Sequence, residues 1–140
     1  MKLSFVIPAW NEEELIGRTI ESIHVSASDY DYEIIVADDA SEDRTSEIAN
    51  GLQTTVVSCN NRQIGMTRND GAAVASGDVL IFVDADTIIS EPVVRETVEA
   101  INNGSVAGGS FLAFEGKIPI FASILTPTLR VLFRLVGIAA

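Results

Sequence analysis

The chain of 140 residues is long enough for one domain with a buried core, and an apolar content of 47% is that of a globular protein. Its net charge of −11, from 20 acidic against 9 basic residues, argues against electrostatic binding to nucleic acid, which needs basic clusters; it suits a protein that meets an anionic ligand through a metal ion. The single cysteine, Cys59, excludes an internal disulfide and fits a reducing compartment; at the end of an apolar run it reads as a packed residue rather than a nucleophile.

Residues 3–7 predict a first strand. This apolar stretch is too short for a signal peptide and runs at once into Asn11-Glu12-Glu13-Glu14, so a cytoplasmic location is expected. Residues 12–25 predict a helix with Ile16, Ile20 and Ile23 on one face. Asn11 is its expected N-cap, with Glu14 three residues on as in a capping box, and Glu12 and Glu13 suit the positive end of that helix. Residues 33–37 are a second strand, and 44–50 a short helix stopped by Gly51 at C′. Residues 54–58 form a third strand, and 65–76 a helix of small residues ended by Gly77.

The run Val79-Leu80-Ile81-Phe82-Val83 predicts a fourth strand, buried in a parallel sheet. Ser90 is expected to cap a helix reaching about residue 102, with Pro92 in its first turn, and 105–113 is a fifth candidate strand. Residues 118–140 are almost wholly apolar, but their uninterrupted stretches are short for a membrane span. A helix from about residue 127 sets Arg130 and Arg134 one turn apart and suits packing on a partner or further domain, with contact to a membrane surface as the alternative.

Strands alternating with helices through short connections predict an α/β fold, a Rossmann-like, mostly parallel sheet with helices on both faces. Ligands then bind beyond the carboxyl ends of the strands. The polar clusters sit there: Pro8-Ala9-Trp10-Asn11 after the first strand, Asp38-Asp39 after the second, Asn60-Asn61-Arg62 after the third and Asp84-Ala85-Asp86 after the fourth. Carboxylates on alternate residues at a strand end point to the same side. Such a pair is placed to hold a divalent ion that shares its coordination with substrate phosphates; the alternative is that one of the two merely ends the strand.

These residues carry a resemblance. Phe5-Val6-Ile7-Pro8-Ala9-Trp10-Asn11-Glu12-Glu13 resembles the opening of the family 2 glycosyltransferases, which have the GT-A fold. Glu33-Ile34-Ile35-Val36-Ala37-Asp38-Asp39-Ala40-Ser41-Glu42-Asp43-Arg44-Thr45 is similar to that family's second signature. Asn61 to Asp86 is similar to its third block, through Gly65, Arg68-Asn69, Gly71-Ala72, Ala75, Gly77-Asp78 and Asp84-Ala85-Asp86.

The resemblance implies a nucleoside-diphosphate-sugar site. Asp86 would be the direct ligand of Mg²⁺ or Mn²⁺, with Asp84 on the metal or the donor ribose and Ala85 between them. Asp39 would accept a hydrogen bond from a ring N–H of the base, as uracil or guanine offers, and Asp38 would shape that pocket; both aspartates also suit a cap on the following turn. Pro8, Ala9 and Trp10 would wall the base and ribose. Glu12 would stand at the donor site, where a helix-end role serves as well. Arg68 would face phosphate or base, and Arg62 is a second basic candidate. Gly71, Ala72 and Ala75 suit close packing, and His24 a surface helix position.

The expected organisation is a nucleotide-sugar-binding subdomain over residues 1–115 and an apolar segment over 116–140, with the acceptor half of the family pattern missing. After residue 113 the remaining acid is Glu115, and nothing marks it as the general base that inverting transfer requires. The function expected is inverting, metal-assisted sugar transfer to an unknown acceptor, with UDP ahead of GDP as the commoner donor. The alternatives are a non-catalytic nucleotide-sugar-binding module and a haloacid dehalogenase-type phosphatase, whose nucleophile motif Phe82-Val83-Asp84-Ala85-Asp86-Thr87 also resembles.

Overall fold

The computed structural model describes residues 1–109. Two compact units are distinguished, Met1–Glu96 and a second beginning at Thr97. The predicted boundary at residue 115, with Glu115 and the apolar segment, lies outside the described residues.

In chain order the elements are β1 (Lys2–Ala9), α1 (Ile16–Ser26), β2 (Asp31–Asp38), α2 (Thr45–Asn50), β3 (Thr55–Ser58), α3 (Ile64–Val74), β4 (Val79–Phe82) and α4 (Glu91–Asn102). The four strands are parallel and lie in the order β3-β2-β1-β4. β1 is buried from Leu3 to Ala9, as befits a central strand covered on both faces. It pairs with β2 from Lys2↔Asp31 to Ala9↔Asp38 and with β4 from Leu3↔Val79 to Val6↔Phe82. The chain steps outward through β2 and β3 and then returns to the other side of β1. The crevice between the carboxyl ends of β1 and β4 is therefore the topological switch point, where such sheets bind ligands.

Alternation sorts the side chains. Phe5 meets Tyr32 edge-on, and Tyr32 meets His24 of α1, so α1 covers the odd-numbered face of β1. Gly17 of α1 faces Ile48 of α2, which places α2 on that face too. α3 covers the other face, over Val6, Ile35 and Ala37.

At the amino ends of the strands, Ser4 is fully buried. Its hydroxyl donates to Glu33 Oε1 at 2.6 Å and accepts from the Gly77 N–H at 2.9 Å. Glu33 also accepts from Lys2 Nζ at 2.9 Å and the Ser76 N–H at 2.6 Å. Burial opposes the charge of Glu33, but these donors outweigh it and hold the carboxyl at about 2. A Cβ on Gly77 would stand 2.5 Å from Ser4 Oγ and 2.8 Å from the Lys2 carbonyl oxygen; that approach, not the end of α3 at Val74, is what the glycine serves.

Several expectations are corrected. The predicted capping box is absent: Asn11 has φ +54° and α1 starts at Ile16 with no side-chain cap. The reason is tertiary. The N–H groups of Glu12 and Glu13 donate to Thr45 Oγ1 and Asp43 Oδ2 in the next loop, at 2.8 and 3.1 Å. Glu12 and Glu13 thus precede the helix instead of opening it. Gly51 is the C-cap of α2 with φ −73°, and the left-handed residue that follows is Gln53. β4 is not buried on both faces. It is an edge strand among the described residues, with Leu80 and Phe82 45% and 46% exposed. Residues 105–109 are not a strand, and 110–113 lie outside the described residues. His24 is half-buried, bonded to Tyr32 Oη at 2.7 Å and to the Leu52 carbonyl oxygen at 2.9 Å. No helix among the described residues is long and apolar enough to cross a membrane.

Candidate functional site

The sequence-predicted residues of the first unit gather at the carboxyl ends of the strands. Backbone hydrogen bonds knit the loops there: Asp39 N–H to the Ala9 carbonyl, Cys59 N–H to Asp38 and Val83 N–H to Val6. Three non-glycine residues of these loops take left-handed backbone, Asn11, Ala40 and Arg62, with φ of +54°, +56° and +52°. Such conformations are costly away from glycine and concentrate at binding sites.

Beyond β1, Pro8 and Ala9 are buried within the strand, while Trp10 is 53% exposed. The Arg62 guanidinium lies over the Trp10 ring, 5.0 Å from its centroid, a cation–π contact that joins the first and third loops. Asn11 accepts from the Glu42 N–H at 2.8 Å and donates its own N–H to Ser41 Oγ at 2.9 Å, so it braces the first two loops.

Beyond β2, Asp38 and Asp39 are both 6% exposed and do different things. Asp38 Oδ1 accepts from the Ser41 N–H at 3.3 Å, within its own turn. Asp39 Oδ1 accepts from the Asn61 N–H at 2.6 Å, and a carboxylate has acceptor capacity for further donors. Asn61 in turn donates from Nδ2 to Asp70 Oδ2 at 2.6 Å, tying the third loop to α3. Cys59 is buried beside this group. Burial, then the Asp70, Asp39 and Asp38 carboxylates, push its thiol up to about 11, which suits a packed residue.

Beyond β4, Asp84 and Asp86 are exposed while Ala85 between them is buried. Thr19 Oγ1 of α1 donates to the Ala85 carbonyl at 2.7 Å in the interior. This fixes the turn so that both carboxylates face outward; Ala85 spaces them and is itself turned inward. Asp84 Oδ1 accepts from Arg68 Nη2 of α3 at 2.5 Å. The Glu12 carboxyl is raised above its usual range by burial, then by the negative charges of Asp86 and Asp43. The first and fourth loops therefore crowd negative charge into one place.

This donor set fits a hard divalent cation. It offers oxygen ligands, and among the described residues no group of three or more His, Cys, Asp or Glu side chains is arranged to hold a metal. Two carboxylates completed by phosphate oxygens and water is the arrangement Mg²⁺ accepts.

Thr19 was not marked by the sequence motifs, and Asn61 and Asp43 stood within them with no role of their own. Thr19 had a signal, a polar residue between Ile16, Ile20 and Ile23 on the apolar face of α1. The bracing roles of Asn61 and Asp43 had none, because their partners stand 22 and 30 residues away.

The chain is similar to proteins of one kind. The dolichol-phosphate mannosyltransferase of Pyrococcus furiosus is 36% identical over 124 residues, 84% of this chain and 35% of that protein. The crystal structure of glucosyl-3-phosphoglycerate synthase from Mycobacterium tuberculosis, in complex with Mn²⁺, UDP and glucosyl-3-phosphoglycerate, is 31% identical, with a TM-score of 0.62 over 71% of this chain and 39% of that one. The crystal structure of S. aureus TarS 1-349 is 26% identical, with a TM-score of 0.63 over 85% of this chain and 41% of that one. The chain spans about a third of the length of its Pyrococcus relative. The fold is accordingly of GT-A type, and the model of glycosyl transferase family 2 matches residues 4–133, so the chain belongs to that family.

Proposed function

We propose that these residues form the donor half of an inverting glycosyltransferase that takes its sugar from a nucleoside diphosphate, UDP ahead of GDP, for an acceptor bound elsewhere. The observation that carries the reading is that Asp39, Trp10, Asp84 and Asp86 follow carboxyl ends of parallel strands at one edge of the sheet, with Arg68 of α3 bonded to Asp84 there. A base-facing carboxylate, an aromatic wall, a cation and a pair of hard oxygen ligands are what a nucleotide diphosphate requires.

Asp39 accepts the base N–H, with Asp38 and Asn61 holding its loop. Trp10 supplies a face beside the base and ribose, over Pro8 and Ala9. Asp86 and Asp84 would hold Mg²⁺ or Mn²⁺, which when bound supplies Lewis-acid neutralisation of the diphosphate and its leaving group. The Mn²⁺ and UDP in the complex of the mycobacterial relative support this reading. Glu12 adds to the negative field around Asp86. No described residue is assigned as general base.

A phosphatase reading of Asp84 finds no support in a family 2 match over residues 4–133. A binding module without transferase activity would share the donor site and lack the acceptor side.

Calorimetric titration of UDP and GDP, with and without Mn²⁺, tests the assignment on wild type and Asp86→Ala. Metal-dependent UDP binding by wild type, lost in Asp86→Ala, is the expected outcome. Equal metal-dependent binding by both proteins would remove Asp86 from the site.

A further inference from the structure

We infer that Arg68 is the resident counter-cation of Asp84: without a donor its guanidinium occupies the carboxylate that would face the divalent ion, so the metal binds tightly only with a diphosphate that draws Arg68 away. This rests on the reading of Asp84 and Asp86 as the cation-holding pair.

Three observations carry it. First, Arg68 Nη2 bonds Asp84 Oδ1 at 2.5 Å, with Asp84 itself 53% exposed. An ion pair at such a rim is open to exchange. Second, Arg68 Nε is buried and has no hydrogen-bond partner among the described residues. A guanidinium engages a carboxylate best through two parallel N–H bonds. Here one donor is engaged and a buried one is left over, so Arg68 is not satisfied by Asp84; orphaned buried donors are rare and ask for a function. An acceptor with more oxygens, such as a diphosphate, answers that demand. Third, among the described residues no third acidic, histidine or cysteine side chain completes a metal cage with the pair. A bare divalent ion arriving at Asp84 and Asp86 therefore finds few ligands and a positive neighbour. A metal–diphosphate finds both its own oxygens and a partner for Arg68.

The consequence is a defined sign. Removing the Arg68 charge makes the site a better site for metal alone and a worse one for the nucleotide. A role confined to packing would weaken both or change neither. At separations of about 5 Å, loss of one positive charge tightens binding of a divalent ion roughly tenfold even under water-like screening.

The test uses the 140-residue chain and Mn²⁺, with free Mn²⁺ read from its electron paramagnetic resonance signal, first without nucleotide and then with saturating UDP. The variants are Arg68→Gln, Arg68→Lys, Asp84→Asn and Asp86→Asn, each checked for native circular dichroism. Wild type is expected to bind Mn²⁺ weakly alone and at least tenfold more tightly with UDP. Arg68→Gln is expected to bind Mn²⁺ alone roughly tenfold more tightly than wild type and to lose most of the enhancement by UDP. Arg68→Lys keeps the charge and stays weak for Mn²⁺ alone. Arg68→Gln binding Mn²⁺ alone no better than wild type, or Arg68→Lys matching Arg68→Gln, overturns the inference. The reading beneath it fails differently: Asp84→Asn and Asp86→Asn would then leave Mn²⁺ and UDP binding at the wild-type level.

Discussion

Gly71 lets α3 lie directly on Val6 of the central strand. A Cβ at Gly71 would stand 2.6 Å from Val6 Cγ1, a distance real side chains do not adopt, and a tight 3.3 Å from the Ala37 Cβ. Both neighbours are fully buried on the most covered strands of the sheet, so α3 must move. Arg68 stands one turn earlier on the same helix. The site's cation is thus positioned by a contact between a hydrogen atom and a valine.

Gly71→Ala is expected to cost about 1–3 kcal/mol of stability, as overpacking does. It should also weaken UDP binding through displacement of Arg68, with the fold retained. Urea unfolding measures the first effect and calorimetry the second. A variant as stable as wild type would show that α3 has freedom the packing does not suggest.

Glu33 governs a second prediction, on pH. Its folded carboxyl is held at about 2 against an ordinary 4.5. A depressed carboxyl contributes stability that is present above the unfolded value and lost as pH falls through the folded one. The contribution is complete above about pH 5 and disappears between about pH 4.5 and 2. Its size is on the order of 2 kcal/mol, allowing for the partial exposure of the Lys2–Glu33 pair. Glu33→Gln should lower stability at pH 7 and flatten that acid limb, as urea midpoints from pH 7 to pH 3 would reveal. A Glu33→Gln curve parallel to wild type throughout would assign the acid loss to other carboxylates.

The two periodicities made the alternation of strands and helices legible. Residues 3–7 and 33–37 were legible as strands because they hold the short continuous apolar runs 5–7 and 34–37, which are buried in β1 and β2. The placement of Asp39, Arg68, Asp84 and Asp86 at one edge followed from the parallel topology, since all lie beyond carboxyl ends or on the helix over them. What escaped the sequence is what depends on distant partners. Asn11 had the form of a cap, but the N–H groups that a cap would order are bonded by Thr45 and Asp43 about thirty residues later. His24 looked like a surface residue because Leu52, whose carbonyl it bonds, comes 28 residues on. The half-exposed face of β4 was hidden for the same reason: a strand's own residues do not say whether a neighbour stands beyond it.

Ala40 supplies a test of loop strain. It follows Asp39 directly and holds φ +56°, where an L-side chain costs about 1–2 kcal/mol relative to glycine. Glycine gives back part of this through a freer unfolded chain. Ala40→Gly should therefore raise stability by about 0.5–1 kcal/mol. The same change loosens the loop that presents Asp39, so UDP affinity should fall even as the melting temperature rises. A drop in stability would show that the Ala40 side chain contributes more than its backbone costs.

Asp39→Asn tests base recognition with little change of shape. In wild type, Asp39 Oδ1 accepts from the Asn61 N–H, and as a carboxylate the side chain offers acceptors only. Such a group matches the ring N–H of uracil and opposes cytosine, whose corresponding nitrogen is an acceptor. In Asp39→Asn the amide oxygen can keep the Asn61 bond while the amide nitrogen turns a donor toward the base. UDP affinity should fall roughly 10–100-fold, the loss expected for a hydrogen bond to a charged group. CDP should bind no worse, so the preference for UDP over CDP collapses. Competition titrations of the two nucleotides in the presence of Mn²⁺ measure the ratio directly. An unchanged ratio would mean that Asp39 only braces the Asn61 loop, and that the base is read by another group.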